Sequence, residues 1–200
     1  MEIVLATRNR NKIKEITRKM KIPGVKYLTL DDFGEFPEVI ENKKTLYGNA
    51  GKKAVEVRKF TKIISIADDT GLEVEYLRGA PGVFSARFAG KACTYLDNNK
   101  KLLRLLKNVP SNKRSALFRT VIAVSIPGKK TLFVEGACKG TIAFEMKGRK
   151  GFGYDPVFIP AGHKITYAQM PLTFKNRISH RGKALEKTKK VLLRLIKRAK

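Results

Sequence analysis

Apolar residues follow two spacings along the chain, one typical of strands and one typical of helices. Continuous or alternating apolar stretches predict strands at 2–6, 25–30, 62–67, 72–77, 115–126 and 131–138. The last two read as a hairpin around Pro127-Gly128. Apolar residues three or four apart predict four helices. The first begins near 9–12, and the others cover 45–60, 95–108 and 182–200. A glycine-rich segment, 151–160, ends in a short apolar strand, and the alternation as a whole predicts a mixed α/β protein.

Two adjacent carboxylates follow the apolar run Ile63–Ile66, where the sequence reads Ala-Asp-Asp-Thr-Gly. Thr70-Gly71 is typical of a turn, so we predict that the strand ends at Asp68 and Asp69. A solvated turn is the ordinary interpretation of such a pair. A metal site is the alternative, and it depends on residues elsewhere in the chain.

Composition adds an unusual charge. The 200 residues suit one domain, and a hydrophobic content of 42% is typical of a globular protein, but the formal net charge is +26. Residues 1–80 carry 16 basic and 12 acidic residues, whereas residues 81–200 carry 27 and 5. Such a charge attracts nucleic acid, anionic membranes or phosphorylated small molecules without choosing among them. A general preference of the source genome for lysine and arginine explains it equally well.

The expected cellular compartment follows from three sequence features: membrane-spanning runs, signal peptides and cysteine spacing. No apolar run approaches the length of about 20 residues that spans a bilayer. The opening residues MEIVLA lead directly into a polar stretch, so we expect no signal peptide. Cys93 and Cys138 are far apart and lack CxxC spacing, which predicts reduced, buried thiols in a cytoplasmic protein.

The first polar turn, TRNRNK, lies between a strand and a helix. Backbone N–H groups and the positive helix end make such a turn a candidate anion site, and Lys12 adds a full charge. Neither a Walker A loop nor a GxGxxG motif occurs in the chain. An ordinary turn between strand and helix is the alternative.

The acids Glu41, Asp68 and Asp69 meet if the loop after the second strand folds beside the third. Mg²⁺ takes oxygen ligands, commonly one or two carboxylates together with phosphate oxygens. A carboxylate cluster next to a lysine-rich phosphate site would therefore suit magnesium-assisted phosphate chemistry.

Two further segments carry candidate groups for a base. In GFGYDP, Phe152 and Tyr154 flank Gly153 and could stack on a flat ligand, while Asp155 offers an acceptor; a loop that fills the core is the alternative. Ser179, His180 and Arg181 cluster hydrogen-bond donors ahead of the last helix, which would favour 6-oxo purines over adenine. His163 belongs to no such group and is predicted to be a surface residue.

Taken together, these stretches resemble the inosine triphosphate pyrophosphatase family, which hydrolyses non-standard purine nucleoside triphosphates. The matching segments occur in the family's order and span nearly the whole chain. They are LATRNRNKIKEI (5–16), NAGKKA (49–54), IADDTGLEVEYLRGAPGVFSARFAG (66–90), GFGYDPVFIP (151–160) and ISHRGKAL (178–185).

The resemblance implies an activity and a fold. ITP, dITP or XTP would be cleaved between the α- and β-phosphates to a monophosphate and pyrophosphate, with Mg²⁺ as cofactor and Mn²⁺ as its expected substitute. The fold would be α/β, a single domain over 1–200 with a long central mixed sheet, helices on both sides and two lobes around a substrate cleft. The family also implies a homodimer, with neither a specific nucleic acid nor a membrane as partner.

The resemblance also implies residue roles, motif by motif. Asp69 would activate the attacking water and ligate the metal with Glu41, supported by Asp68. Thr70 would touch the substrate. The triphosphate would be held by residues of the first turn and by one lysine of the second helix, namely Thr7, Arg8, Asn9, Arg10, Asn11, Lys12 and Lys53. The base and sugar-phosphate end would be held by Phe152, Gly153, Tyr154, Asp155, Lys175, His180 and Arg181.

Several positions depart from the family pattern. Thr70 replaces a frequent serine, Asn11 a frequent glycine and Gly48 a common glutamate. The segment around Glu41 matches poorly, so Glu41 is placed by its spacing to Asn49, and Glu38 is the fallback ligand. Two competing functions are nucleic-acid binding and hydrolysis of another modified nucleotide, such as a pyrimidine, by a pyrophosphatase.

Overall fold

The computed structural model describes residues 1–198. Its strands are β1 (Glu2–Leu5), β2 (Lys26–Leu28), β3 (Ile64–Val74), β4 (Pro81–Gly82), β5 (Ser115–Ser125), β6 (Leu132–Ile142) and β7 (Phe158–Pro160). Its helices are α1 (Arg10–Lys19), α2 (Leu46–Thr61), α3 (Tyr95–Leu105), α4 (Leu172–Ile178) and α5 (His180–Arg198). Single turns of 3₁₀ helix cover Leu30–Phe33, Glu75–Leu77, Ser85–Arg87, Ser111–Lys113 and Tyr167–Gln169.

The strands form one seven-stranded mixed sheet in the order β2-β1-β3-β5-β6-β7, with β4 paired to β3. β1 runs parallel to both neighbours, with Val4 opposite Leu28 on one side and Ser65 on the other. β4 and β7 run antiparallel to β3 and β6. Helices lie on both sides of this sheet, so the predicted α/β class is confirmed, as is the predicted hairpin of β5 and β6.

The predicted turn at Thr70-Gly71 is wrong. β3 continues without a break from Ile64 to Val74, so Asp68 and Asp69 lie in mid-strand and the separate strand 72–77 does not exist. The acids do not end the strand because side chains from distant parts of the sequence satisfy them: Lys12 reaches Asp68, and Asn49 reaches Asp69. Residues 75–77, expected to be extended, form a 3₁₀ turn.

Three smaller expectations also change. The last helix begins at His180 rather than Gly182, so His180 and Arg181 form its first turn instead of preceding it. The short helix α4, Leu172–Ile178, was not predicted. The second strand is shorter than predicted, and the last two residues of the predicted helix 182–200 lie outside the described residues.

The chain divides into two compact units. The first comprises 1–69, 120–136 and 182–200, and the second comprises 70–119 and 137–181. Each unit buries an apolar cluster of its own. The cluster of the first unit contains Ile3, Leu5, Ile16, Met20, Ile66, Ile122, Val124 and Leu185, and that of the second contains Leu72, Val74, Leu102, Phe118, Val157, Phe158 and Tyr167.

Two further features concern membrane-spanning helices and the cysteines. Among residues 1–198, no helix combines the length and apolar character needed to cross a bilayer. Both cysteines are free thiols as predicted, although only Cys138 is buried and Cys93 is half-buried.

Candidate active site

The turn between β1 and α1 is held by its own side chains. Asn9 is the N-cap of α1, and its Oδ1 accepts hydrogen bonds from the backbone N–H groups of Asn11 (3.0 Å) and Lys12 (3.3 Å). The N–H of Asn9 donates in turn to Thr7 Oγ1. Arg8 Nη2 donates to the carbonyl of Phe36, 2.7 Å away. Because the cap uses two of the amides, anion binding here depends on side chains more than the sequence suggested.

Lys12 connects this turn to the strand that carries the acids. Its Nζ lies 3.1 Å from Asp68 Oδ2 and 3.5 Å from the Asp68 carbonyl oxygen. Asp68 is 2% exposed, whereas the Lys12 side chain remains partly accessible. A partly accessible ammonium beside a buried carboxylate is a suitable contact for an incoming phosphate.

Lys53 makes the second cationic contact with the acids. Its Nζ donates to Glu41 Oε1 at 2.6 Å and to the Asp68 carbonyl oxygen at 2.7 Å. Burial lowers the pKa of this ammonium, but the nearby carboxylates of Glu41, Asp69 and Asp68 together hold its pKa above the ordinary value. Glu41 therefore lies within reach of the cluster, while Glu38, the fallback ligand, is exposed.

Asp69 lies 7% exposed at the centre of this group. Its Oδ2 accepts a hydrogen bond from Asn49 Nδ2 at 3.2 Å. Burial is the main reason that the pKa of Asp69 lies above its ordinary value; Glu41 raises it further, and Lys53, Lys12 and Asn49 act against the shift. A carboxylate with a raised pKa accepts a proton more readily near neutral pH, which is what a general base requires.

The donor set fits a hard divalent cation. Within residues 1–198, no group of three or more His, Cys, Asp or Glu side chains lies close enough to hold a metal by itself. Mg²⁺ does not need such a group, because it is commonly held by one or two carboxylates, phosphate oxygens and water. Burial and, to a lesser degree, the Glu41 carboxylate raise the pKa of Asp69, and a bound divalent cation would stabilise the charged carboxylates.

The second unit brings the GFGYDP loop and Lys175 together. Asp155 Oδ2 accepts from Lys175 Nζ at 2.6 Å and from the backbone N–H of Phe152 at 2.8 Å, and both charged residues are almost fully buried. Gly151 has a φ of +77°, and a Cβ there would collide with Asp155 Oδ2. These contacts show that Asp155 shapes the loop and holds Lys175, while its role as an acceptor for a base stays a prediction.

Phe152 is the half-buried aromatic side chain of this loop, and cations flank its ring. Lys175 Nζ and Arg181 Cζ each lie 5.2 Å from the ring centroid. Arg181 Nη2 also donates to Thr70 Oγ1 at 3.0 Å, which ties the start of α5 to β3 within this unit. The loop thus combines an aromatic ring with two cationic hydrogen-bond donors that lie over it.

His180 and Tyr154 are buried among other rings. The His180 imidazole stacks on Phe118, with centroids 4.1 Å apart and an interplanar angle of 11°. Tyr154 is 4% exposed, and its hydroxyl donates to the Ser85 carbonyl oxygen. Asn99 Nδ2 donates to the carbonyl of Gly153 at 2.8 Å and holds the loop from α3. Tyr154 thus belongs to the core, as the alternative interpretation of this loop expected, and Phe152 is its accessible ring.

The chain is similar to known proteins over nearly its whole length. Residues 3–191 match the model of the Ham1 family. The chain belongs to the Ham1 family. It is 47% identical over 195 residues to a dITP/XTP pyrophosphatase from Desulforamulus reducens, covering 98% of this chain and 97% of that protein. It is equally identical, over 97% of each chain, to a dITP/XTP pyrophosphatase from Caldanaerobacter subterraneus.

Solved structures of Ham1 proteins share the fold. The Ham1 protein of Coxiella burnetii superposes with a TM-score of 0.89 at 38% identity, covering 97% of this chain and 99% of that one. The Ham1 protein of Staphylococcus aureus gives a TM-score of 0.87 at 35% identity, covering 96% and 98%. The resemblance inferred from the motifs is thus confirmed. Membership in the Ham1 family does not favour the competing nucleic-acid-binding function.

Sequence reasoning missed two residues of these clusters. Asn49 lies inside the matching segment NAGKKA, yet it received no role, because its contact with Asp69 depends on tertiary structure. Phe118 reads only as a buried strand residue, and no sequence pattern indicates that His180 stacks on it.

Proposed function

We propose that this Ham1 protein hydrolyses dITP, XTP and ITP to the corresponding monophosphate and pyrophosphate. The observation that carries the proposal is the cluster of Glu41, Asp68 and Asp69 with Lys12 and Lys53. All of these residues except Glu41 lie in segments in which the chain resembles the family. Relatives that cover nearly its full length are named dITP/XTP pyrophosphatases, which supports the same substrates.

The lysines would bind and orient the phosphates. Lys12 is partly accessible beside Asp68, and its charge would offset that of a phosphate oxygen. Lys53 is held by Glu41 and the Asp68 carbonyl, so its ammonium would meet the substrate without reorganising. We assign Thr7, Arg8, Asn9, Arg10 and Asn11 to the same end of the substrate.

Asp69 would act on the attacking water. Its carboxylate would accept a proton as the water oxygen bonds to phosphorus and the bridging P–O bond between the α- and β-phosphates breaks. The proton then resides on Asp69, and pyrophosphate leaves with the bridging electrons. Asp69 is buried, and its Oδ2 is held by Asn49 Nδ2, so the carboxylate would be fixed in position to accept this proton.

We assign Mg²⁺, with Mn²⁺ as a substitute, to Glu41 and Asp69, with Asp68 in support. The cation would neutralise phosphate charge that the carboxylates alone would repel.

The second cluster would hold the base. Phe152 offers a ring face, and Arg181 and His180, the first residues of α5, are candidate donors to a keto oxygen at C6. Lys175 and Asp155 would set the position of that ring, and Thr70 that of Arg181. Adenine carries an amino group at C6, so a donor there would lack its acceptor.

The test is pyrophosphate release from dITP, XTP, ITP and ATP by the purified protein, with and without Mg²⁺. We expect release from the first three nucleotides, much slower release from ATP, and loss of turnover when EDTA removes the metal. Release of inorganic phosphate instead of pyrophosphate, or equal rates with ATP, would contradict the proposal. Asp31→Asn is the matched control, because it removes one exposed carboxylate outside the cluster.

The assembly and the compartment remain predictions of the family resemblance. A homodimer would appear in light scattering as a mass twice the chain's 22.5 kDa. A monomer over the whole concentration range would contradict it.

A further inference from the structure

Residues 40–43, the segment that carries Glu41, are hydrogen-bonded to side chains on one face of α2. Lys52 Nζ donates to the Ile40 carbonyl oxygen at 2.8 Å and to Asn42 Oδ1 at 3.2 Å. One residue along, Lys53 binds Glu41. One turn earlier on the helix, Asn49 Oδ1 accepts from the backbone N–H of Lys43 at 2.9 Å. Residues three or four apart share a helix face, so α2 contacts the segment at successive turns.

Gly48 allows the close approach of this segment. A Cβ built on Gly48 would lie 2.7 Å from Lys43 Cβ and 3.2 Å from Lys43 Cγ. The atom at the shorter distance is adjacent to the backbone, so it cannot simply swing away. In this chain, a larger residue at position 48, such as the glutamate common in the family, would therefore require Lys43 and its segment to shift away from the start of α2.

Asn49 touches the segment and Asp69 at the same time. Its Oδ1 accepts from Lys43 N–H, and its Nδ2 donates to Asp69 Oδ2 at 3.2 Å. The side chain is fully buried. The opposite amide orientation would face donor with donor at Lys43 and acceptor with acceptor at Asp69, so the two partners fix the orientation.

We propose that Asn49 is a positioning residue that fixes the Glu41 segment and Asp69 relative to each other. One rigid amide sets the position of both carboxylates, and Gly48 makes room for that arrangement. The inference rests on the proposed function insofar as these carboxylates serve catalysis. Outer partners of catalytic carboxylates commonly affect activity by about 10- to 100-fold when removed.

Three variants separate the two ends of the amide. Asn49→Ala removes both contacts. Asn49→Asp keeps an acceptor for Lys43 N–H but replaces the donor to Asp69 with a repelling carboxylate. Gly48→Ala disturbs the segment while leaving the Asn49 side chain in place. Asn98→Ala is the matched control, because Asn98 is also a buried helical asparagine that ties down a loop, through Ala86 and Ala89.

The first readout needs no substrate. Lys43 and Lys44 are exposed, so trypsin cleavage after them, located by mass spectrometry, reports whether the segment is docked. We expect Asn49→Ala and Gly48→Ala to speed this cleavage at least about tenfold, whereas Asn49→Asp and Asn98→Ala leave it within twofold. This result stands or falls independently of the enzyme activity.

The second readout is the split between kcat and KM for XTP. Both Asn49 variants should lower kcat by about 10- to 100-fold with KM changed by less than about threefold. Asn98→Ala should keep kcat within twofold of wild type even if it lowers Tm by as much as the Asn49 variants do. If the Asn49 variants lose only Tm, or if cleavage after Lys43 and Lys44 does not change in Asn49→Ala, the positioning role is wrong. Absence of pyrophosphate release by the wild type would overturn the proposed function while leaving the cleavage result to judge the docking.

Discussion

The two candidate clusters handle charge in different ways. In the first unit, charged groups meet charged groups: Lys12 lies 3.1 Å from Asp68, and Lys53 lies 2.6 Å from Glu41. In the second unit, two cations lie over a ring, each 5.2 Å from the centroid of Phe152, and the buried pair of Asp155 and Lys175 supports the loop.

The difference indicates which chemistry each cluster serves. A set of carboxylates and ammonium groups suits phosphate charge and proton transfer, and it affects turnover. A ring with hydrogen-bond donors next to it suits a flat base, and it affects the choice of substrate. Substitutions in the first cluster should therefore change kcat for every nucleotide alike, and substitutions in the second should change ratios between nucleotides or the stability of the fold.

The largest effect is expected for the base of the first cluster. Asp69→Asn preserves shape but removes the proton acceptor and one ligand charge, so kcat should fall by about 10²- to 10⁴-fold for XTP and ITP alike. Pyrophosphate release under saturating substrate measures it, with Asp31→Asn as the control. Turnover of Asp69→Asn within threefold of wild type would remove Asp69 from the reaction.

The pair in the second cluster should instead affect stability. Asp155→Ala leaves the Lys175 ammonium, 3% exposed, without its carboxylate, which should cost about 3–5 kcal/mol of unfolding free energy. Glu145→Ala, which breaks the exposed pair with Lys147, should cost less than about 1 kcal/mol. Urea denaturation compares the two, and adding Lys175→Met to Asp155→Ala should restore part of the loss. Equal costs for the two single variants would show that the buried pair is not structural.

The sequence predicted the class of the fold and most elements, because apolar spacing is a local property. It failed at Asp68-Asp69-Thr70-Gly71, where four residues typical of a turn lie inside β3. Local pattern could not reveal that Lys12 and Asn49, distant in sequence, satisfy both acids. The burial of Tyr154 and the pair of Asp155 with Lys175 could not be predicted for the same reason, since both arise only from tertiary packing.

Asp69 in the first cluster is also expected to affect stability, by less than Asp155 and in the opposite direction. The folded-state pKa of Asp69 lies above its ordinary value of 3.8. Protonated Asp69 therefore stabilises the folded state at pH values below 3.8, and this stabilisation is lost as the pH rises through the folded-state pKa. Asp69→Asn should therefore be more stable than wild type at pH 7, by at least about 2 °C in Tm, which corresponds to roughly 0.5–1 kcal/mol for a chain of this length. Scanning calorimetry at pH 7 and pH 3.5 checks it. If the Tm advantage of Asp69→Asn over wild type is larger at pH 3.5 than at pH 7, the sign is reversed and burial does not raise the pKa of Asp69.

The division of roles is tested most directly by comparing Lys12→Ala with Arg181→Ala on ITP, ATP and GTP. Lys12→Ala should lower kcat/KM for all three by similar factors, because every nucleotide carries the same phosphates. Arg181→Ala should reduce the preference for ITP over ATP at least about tenfold while changing ITP over GTP much less, since guanine also has a keto oxygen at C6. If Lys12→Ala changes the base preference, or if Arg181→Ala lowers all three equally, the two clusters do not divide phosphate chemistry from base recognition.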